Sequence, residues 1–358
     1  MRVCILGSGL TALTLAKALV NQNIFVDLIS SNKNHKINHS RTIGISKSNF
    51  NYFNRNITNI EKISWKLKKI EIYTDKNKNE KILNFENSDE QLFSIIKNYQ
   101  LYEVLNKNLF KNKYFKKIKS KKKLIKQKKY NLIVNTEYNN IFTKKYFSKK
   151  IEKVYNSSAY TTVINHETIS NQIAVQIFTK IGPLAFLPLS KNKTSIVYSI
   201  YNSKHVDRKK IINLINQHNI KYKITKIEKI ENFELKSFNL RSYYHNNILA
   251  FGDLLHRIHP LAGQGFNMTI RDINLLINII KNKIDLGLHI DSSVNYEFEK
   301  YSKHKNYIFS NSIDLVQEFF NFERKFNNNI LSKSVKILGK NRFINKLFTK
   351  VADKGINF

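Results

Sequence analysis

The 358-residue chain has one cysteine, three prolines, one tryptophan and two methionines, and only 26 acidic residues against 61 lysines and arginines, a formal charge of +35. Each shortage excludes something. A lone cysteine, Cys4, forbids an internal disulfide, so neither a stapled secreted scaffold nor a cysteine metal site is available. Its place in an apolar N-terminal run reads as a buried structural thiol. Nowhere do about 18 apolar residues follow one another, and the N-terminal apolar stretch is broken by Gly7, Ser8 and Gly9. No membrane span or signal peptide is read, and the expectation is a cytoplasmic protein, soluble or peripheral on the inner face of the plasma membrane. The surplus of positive charge is that of a nucleic-acid binder, but no recognised nucleic-acid module accompanies it. Lysine, asparagine and isoleucine are abundant everywhere, the mark of AT-rich coding sequence, so nucleic acid is not expected as a partner. The same potential would assist attraction to an anionic membrane surface. A hydrophobic content of 42% supports one large or two modest folded domains.

What is present is organised around two glycine-bearing loops. Arg2-Val3-Cys4-Ile5-Leu6 reads as a strand, Gly7-Ser8-Gly9-Leu10-Thr11-Ala12 as a turn opening a helix, and Ile24 to Ile29 as a second strand. This is the dinucleotide fingerprint in its proper context, with Ala12 in the third glycine position. Gly7 permits the tight turn and Gly9 lets a pyrophosphate approach the helix N-terminus. The acidic residue expected at the end of the second strand is replaced by Ser30, a weaker partner for ribose hydroxyls.

The second loop runs from Gly252 to Asn267, after the apolar run Ile248–Phe251 and before a helical pattern of Ile270, Ile273, Leu276, Ile277 and Ile280. Strand, loop and helix in that order place the loop at the carboxyl end of a strand, with free helix N–H groups pointing at any ligand. Asp253 suits sugar-like hydroxyls, while Gly263 and Gly265 leave room for a flat ligand against the backbone. A cofactor with a polyol arm and a ring that becomes negative would fit. His256 and His259 have no third ligand at a suitable spacing, so no metal is expected.

Between these loops, Ser40-Arg41-Thr42-Ile43-Gly44-Ile45-Ser46 is extended and leads into a helix near Asn49–Arg55, and Arg41 is a candidate phosphate or flavin contact. Residues 67–73 and 81–85 alternate as a hairpin around a turn at 74–79. Residues 88–107 have helical spacing, through Leu92, Ile95, Ile96, Tyr99 and Leu105. The lysine-dense stretch 111–129 reads as a surface connection with a short strand. Residues 131–134 form another strand, 158–200 are strand-rich, a helix is expected over 207–217, and helices return from about 294. The fold class is α/β. A Rossmann-like domain (1–65, 88–154 and 240–290) is interleaved with a mostly antiparallel sheet domain (66–87 and 155–239), followed by C-terminal helices (291–358). In that last part, residues 330–348 alternate apolar groups with lysines, as in a membrane-touching helix or one packed on the first domain.

Together these residues resemble the FAD-dependent aromatic monooxygenases, and within them the ubiquinone-biosynthesis hydroxylases. Gly252-Asp253 with His259-Pro260-Leu261-Ala262-Gly263-Gln264-Gly265-Phe266-Asn267, then Arg271-Asp272, is similar to that family's second flavin signature. Gly182-Pro183-Leu184-Ala185-Phe186-Leu187-Pro188-Leu189 is similar to its substrate-domain motif, and Tyr301, His304, Asn306, Asp314 and Phe319 match in order. The resemblance implies FAD as cofactor, with a flavin C4a-hydroperoxide passing oxygen from O2 to a prenylated phenol. It implies that Asp253 binds the ribityl chain, with Gly252 beside it, and that Gly263, Gln264, Gly265 and Asn267 sit near the flavin pyrimidine. His259 and Pro260 would lie near the reactive edge, His259 as a loop-fixing hydrogen-bond donor. Gly182, Pro183, Leu184 and Phe186 would line the ring pocket. The family's Asp-Gly motif after the strand at 131–134 is here Glu137-Tyr138, which puts direct NAD(P)H reduction in question and brings in a separate electron-transfer protein. Two alternatives stand beside this reading: an FAD monooxygenase acting on another aromatic or lipid substrate, and a non-catalytic flavin-binding subunit of a quinone-synthesis complex.

Overall fold

Residues 3–6 are apolar without alternation, and the chain buries both faces of the strand they belong to at the centre of a parallel sheet. The computed structural model describes residues 1–30, 39–75, 80–86, 91–119, 130–201, 206–259, 263–325 and 341–355. Strand Arg2–Leu6 pairs in parallel with Phe25–Ser30 on one side and Leu132–Asn135 on the other. Phe115–Lys119 extends the sheet beyond the first neighbour and Ile248–Ala250 beyond the second, both in parallel, and Tyr244–His245 closes that edge as a hairpin. Helix Leu10–Val20 buries Leu13, Leu15, Ala16 and Leu19. Successive crossovers leave the central strand in opposite directions, so the crevice for a ligand opens above its carboxyl end.

A second sheet of nine strands is antiparallel except where Ile173–Thr179 runs parallel to Lys69–Thr74. Its long member, Lys150–His166, pairs with Lys193–Tyr201 and with Glu231–Leu240, and a bulge between Val154 and Ser158 lets it bend. Gly182–Pro188 lies between Ile173–Thr179 and Lys193–Tyr201. Helix Arg208–His218 covers one face of this sheet and buries Ile211 and Ile215 with Leu184, Phe186, Ile196 and Tyr198. The opposite face turns toward the first domain: Thr42 Oγ1 meets Ser195 Oγ at 3.0 Å and Ser40 Oγ meets Thr161 Oγ1 at 3.0 Å. The α/β class, with a Rossmann-like sheet and a mostly antiparallel one, is as read from sequence.

The helical reading of 88–107 needs correction. Phe93–Lys97 is a strand, paired antiparallel with Thr42–Ser46 and Ser64–Leu67, and only Asn98–Phe110 is helical. The apolar cluster Phe93, Ile95 and Ile96 satisfies either period, and pairing to two strands decides it. The expected hairpin is present as Lys69–Thr74 paired with Glu80–Glu86, but residues 76–79 of its turn lie outside the described residues, as do 120–129 of the lysine-rich connection.

Helix Gln264–Asp285 buries Ile270, Ile273, Leu276, Ile277 and Ile280. Helix Ser292–Lys325 follows, and a last helix, Arg342–Lys354, packs back near the start of helix Lys47–Asn56, where Ser48 N donates to Asp353 Oδ1 at 2.8 Å. Residues 330–340 of the amphipathic stretch lie outside the described residues. No described helix is long and apolar enough to cross a membrane.

Candidate active site

Four strand ends converge at one rim. Leu6 leads into Gly7, which has φ +131°; a Cβ there would lie 2.1 Å from Thr136 Oγ1. Only glycine lets the first loop pass this closely under the loop that follows Asn135. Gly7 N donates to Ile29 O at 2.9 Å. Gly9 caps the first helix in an extended conformation without a side-chain cap, and Ala12 is fully buried behind it. The first-turn N–H groups therefore face the crevice, and no acidic side chain stands in that turn. Ser30 Oγ donates to Ser8 Oγ at 3.1 Å, joining the end of the second strand to the glycine loop.

The neighbouring strand Ile248–Ala250 turns at Gly252, φ +64°, where a Cβ would meet Thr11 Cγ2 at 2.4 Å. Both glycine-bearing loops thus pack on the N-terminus of one helix. Asp253 is exposed on the short helical turn Gly252–Leu254. Arg41 is brought alongside it. The guanidinium lies 4.4 Å above the Phe233 ring, and burial lowers its pKa while Asp253 opposes that shift and Arg257 reinforces it. After Asp253 the chain makes a two-residue strand, His256–Arg257, paired with Phe238 and Asn239.

The two histidines have different surroundings. His256 Nε2 bonds Asp272 Oδ2 at 2.6 Å, and Asn306 Nδ2 donates to Asp272 Oδ1 at 3.0 Å, so the loop and two helices are tied together there. His259 is buried, and neither ring nitrogen has a hydrogen-bond partner among the described residues. Its ring packs edge-on against Tyr155 at 5.1 Å, and burial pulls its pKa down to about 3. The loop-fixing bond expected of His259 is made by His256 instead. Pro260, with Leu261 and Ala262, lies outside the described residues. Among the described residues no three His, Cys, Asp or Glu side chains gather as a metal site would require.

Gly263 has φ +63° and caps helix Gln264–Asp285. Gln264 is buried, with Oε1 unpartnered among the described residues. At Gly265 an added Cβ would find only Ile258 Cγ1, at 3.9 Å, so protein packing alone does not demand glycine there. Asn267 has its side chain fully spent inside the protein. Its amide nitrogen donates to Gly44 O at 3.0 Å and Gly263 O at 3.3 Å, and its oxygen accepts from Ser46 N at 3.0 Å and Asn49 Nδ2 at 3.1 Å. It holds the loop in shape rather than facing a ligand.

The substrate-side candidates divide by strand phase. Gly182, φ +143°, is required by the sheet itself, since a Cβ would stand 1.9 Å from Ser199 O. Leu184 and Phe186 face the core beneath helix Arg208–His218, Phe186 stacked on Tyr222 at 5.7 Å. This corrects their assignment to a ring pocket. Pro183, Ala185 and Leu187 are on the opposite phase, and Leu187 joins an apolar cluster with Leu67, Phe93 and Ile95 on the first-domain side. Phe233 and Thr161 share that side through Arg41 and Ser40. The sequence reading missed them, although the alternation that separates Leu187 from Leu184 was available as a signal.

The N-termini of helices Leu10–Val20 and Gln264–Asp285, neither with a side-chain cap, and the exposed Asp253 lie at the seam of two sheets, a candidate place for a dinucleotide. Residues 152–285 match the FAD binding domain family. The chain is similar to a mitochondrial ubiquinone biosynthesis monooxygenase of Caenorhabditis elegans, 24% identical over 217 residues, covering 46% of this chain and 47% of that protein. It is also similar to the 3-demethoxyubiquinol 3-hydroxylase of Escherichia coli, 30% identical over 169 residues, 43% of this chain and 40% of that one. These matches span less than half the length of the curated relatives. Among solved structures, p-nitrophenol 4-monooxygenase of Pseudomonas putida superimposes with a TM-score of 0.79 at 10% identity over 98% of both chains. HpxO of Klebsiella pneumoniae, solved with FAD and uric acid, gives 0.76 at 10% identity over 98% of this chain and 97% of that one. The fold is that of the FAD-dependent aromatic monooxygenases, as the resemblance implied.

The residues present fit FAD. At the first turn of the loop helix Gln264 Oε1 is a buried acceptor without a partner among the described residues, and beside it Gly265 leaves space that its protein neighbours do not fill.

Proposed function

We propose that this chain is an FAD-dependent monooxygenase that hydroxylates the aromatic ring of a prenylated phenol in ubiquinone synthesis. The observation that carries the reading is the meeting of Gly7, Gly252 and Asp253 at one rim opposite the apolar face of the antiparallel sheet. The similarity to quinone hydroxylases supports the substrate class. When bound, FAD supplies the activation of O2. Gly7, Gly9 and Ser30 would hold its adenosine diphosphate part, Asp253 and Arg41 the middle, and the backbone at Gly263–Gly265 the ring. The N-terminus of helix Gln264–Asp285 stabilises negative charge developing beside it. The apolar wall of Ala185, Leu187 and Phe233 excludes water and orients the aromatic ring. His259 stays neutral through the working pH range and so adds no charge at the rim.

Tyr138 stands where the resemblance puts the glycine of the Asp-Gly motif, and its ring meets Phe238 of the antiparallel sheet edge-on. We take a separate electron-transfer protein as the reductant in place of directly bound NAD(P)H. The outer side of helix Arg342–Lys354 exposes Phe343 and Leu347 beside Lys346, Lys350 and Lys354, which suits contact with an anionic membrane holding the prenylated substrate.

The test is direct. Purified protein should be yellow and release FAD on denaturation, and a deletion strain should accumulate an under-hydroxylated quinone precursor. Colourless protein that FAD cannot reconstitute refutes the cofactor, and normal quinone levels refute the substrate. Stopped-flow mixing with NADPH should leave the flavin oxidised on the turnover timescale, and rapid bleaching would restore direct reduction.

A further inference from the structure

The turn after strand Leu132–Asn135 is braced before it reaches Tyr138. Asn135 Oδ1 accepts from Glu137 N at 3.1 Å, and its amide nitrogen donates to Thr143 Oγ1 at 2.8 Å. Asn140 Oδ1 caps the next short helix by accepting from Thr143 N at 2.9 Å. The same strand is locked to its neighbour, Phe251 N donating to Asn135 O at 2.9 Å. The two turns that carry Tyr138 and Asp253 therefore rise side by side from adjacent parallel strands, at the rim where such sheets bind ligands.

From that fixed base the Tyr138 side chain makes two contacts. Its hydroxyl donates to the backbone carbonyl of Asp253, and its ring stands edge-on to Phe238 of the antiparallel sheet, with centroids 5.7 Å apart and planes at 85°. Burial and the nearby Asp253 charge push the phenol pKa up, so the hydroxyl remains a donor. Leu254 and Leu255 anchor the far end of the Gly252–Leu254 turn in the core, and Leu240 N donates to Leu255 O at 3.0 Å, while Asp253 itself stands on the exposed side. Gly252 is held in a left-handed conformation against Thr11, Leu255 N closes the turn on Gly252 O at 2.8 Å, and the Asp253 side chain is exposed.

We propose that Tyr138 is a positioning residue for the cofactor, a latch whose hydroxyl fixes the Asp253 turn while its ring ties that turn to the second sheet. This rests on the FAD reading above and assigns to Tyr138 a role in retaining the cofactor. The hydroxyl sets the orientation in which the Asp253 carboxylate meets a polyol arm. The ring keeps the two sheets in register across the crevice. A glycine here would leave the turn without either contact.

Two variants separate the contacts. Tyr138→Phe keeps the ring and removes the donor; Tyr138→Leu removes both. In FAD-loaded protein, Y138F should release FAD about five- to tenfold faster than wild type, the fold-change one neutral hydrogen bond carries, with an unchanged apoprotein unfolding midpoint. Y138L should release FAD faster still and also lower the midpoint. Unchanged FAD release in Y138F overturns the proposal, as does a lowered midpoint with unchanged release. A second readout does not depend on FAD: amide exchange at residues 253–257 of the apoprotein should be faster in Y138F. If wild-type protein fails to take up FAD, the proposed function fails, and this exchange measurement still decides the latch. Faster exchange supports it, and equal exchange overturns it.

Discussion

Replacing Asn267 tests whether the second glycine loop is held by the protein or shaped by its ligand. Asn267 is fully buried, and all four hydrogen-bonding positions of its side chain are used, on Gly44 O, Gly263 O, Ser46 N and Asn49 Nδ2. Asn267→Ala strips a partner from each of these groups inside the protein. Asn49 Nδ2 keeps a second partner, Ser46 Oγ at 3.0 Å, so the loss falls on the other three. At about 1 kcal/mol for each buried group left unpaired, the apoprotein should lose about 3 kcal/mol. Asn267→Asp preserves shape but turns an amide donor into an acceptor facing two carbonyl oxygens, and should cost at least as much. The assay is urea unfolding of the apoprotein, followed by FAD titration of the folded variants. FAD affinity should fall in both, because Gly263 loses the bond that steadies its left-handed conformation at the start of the loop helix. A loss under about 1 kcal/mol in N267D would refute the clamp and make Asn267 a ligand contact.

Three further outcomes follow from the same geometry. Gly7→Ala places a methyl group 2.1 Å from Thr136 Oγ1 at a φ of +131°; it should abolish FAD retention, and equilibrium dialysis showing wild-type binding would contradict the crevice. His259 is neutral and buried with a pKa near 3, well below an unfolded histidine, so the unfolded chain binds the extra proton and stability falls as pH drops below about 6.5. At pH 5 that contribution is about 2 kcal/mol, so His259→Phe should flatten the acid limb of urea midpoints between pH 7 and 5, and an identical limb refutes the burial. Phe343→Ser with Leu347→Ser should weaken flotation with anionic vesicles while leaving FAD content unchanged. Equal flotation would remove the last helix from any membrane contact.

The strand–turn–helix geometry of the two glycine loops was legible in the sequence because it is local. Gly7, Gly9, Ala12, Gly252 and Asp253 each lie within a few residues of the strand and helix that give them meaning. What was not legible depends on partners far along the chain. His256 and His259 look equivalent by spacing, yet Asp272 engages one and the other is left to pack on Tyr155. Asn267 reads as a ligand contact until Gly44 and Ser46 arrive from more than 200 residues away. Ser30 reads as a weakened ribose contact, and the structure adds Ser8 as its neighbour in the crevice.

The misreading of Gly182–Pro188 shows what a local motif leaves open. Strand side chains alternate between faces, so the segment offers two sets of residues, and a one-residue choice of phase exchanges core for pocket. Leu184 and Phe186 are the bulkier pair and look suited to holding an aromatic ring. Helix Arg208–His218 needs that bulk beneath it, however, and takes Leu184 and Phe186 with Ile211 and Ile215 into one core. The smaller set, Ala185 with Pro183 and Leu187, is left on the side facing the crevice. On the function proposed above, the small Ala185 on this side would leave room for a ring, so the phase that stabilises the sheet would also form the site. Enlarging Ala185 to Phe should therefore impair substrate binding while leaving FAD bound. Enlarging Leu184 to Phe overfills the core, costing about 1–3 kcal/mol of stability, with little effect on the affinity of protein that remains folded. Measured together by ligand titration and urea unfolding, the two changes should dissociate; equal effects on both properties would show that the sheet presents the other phase.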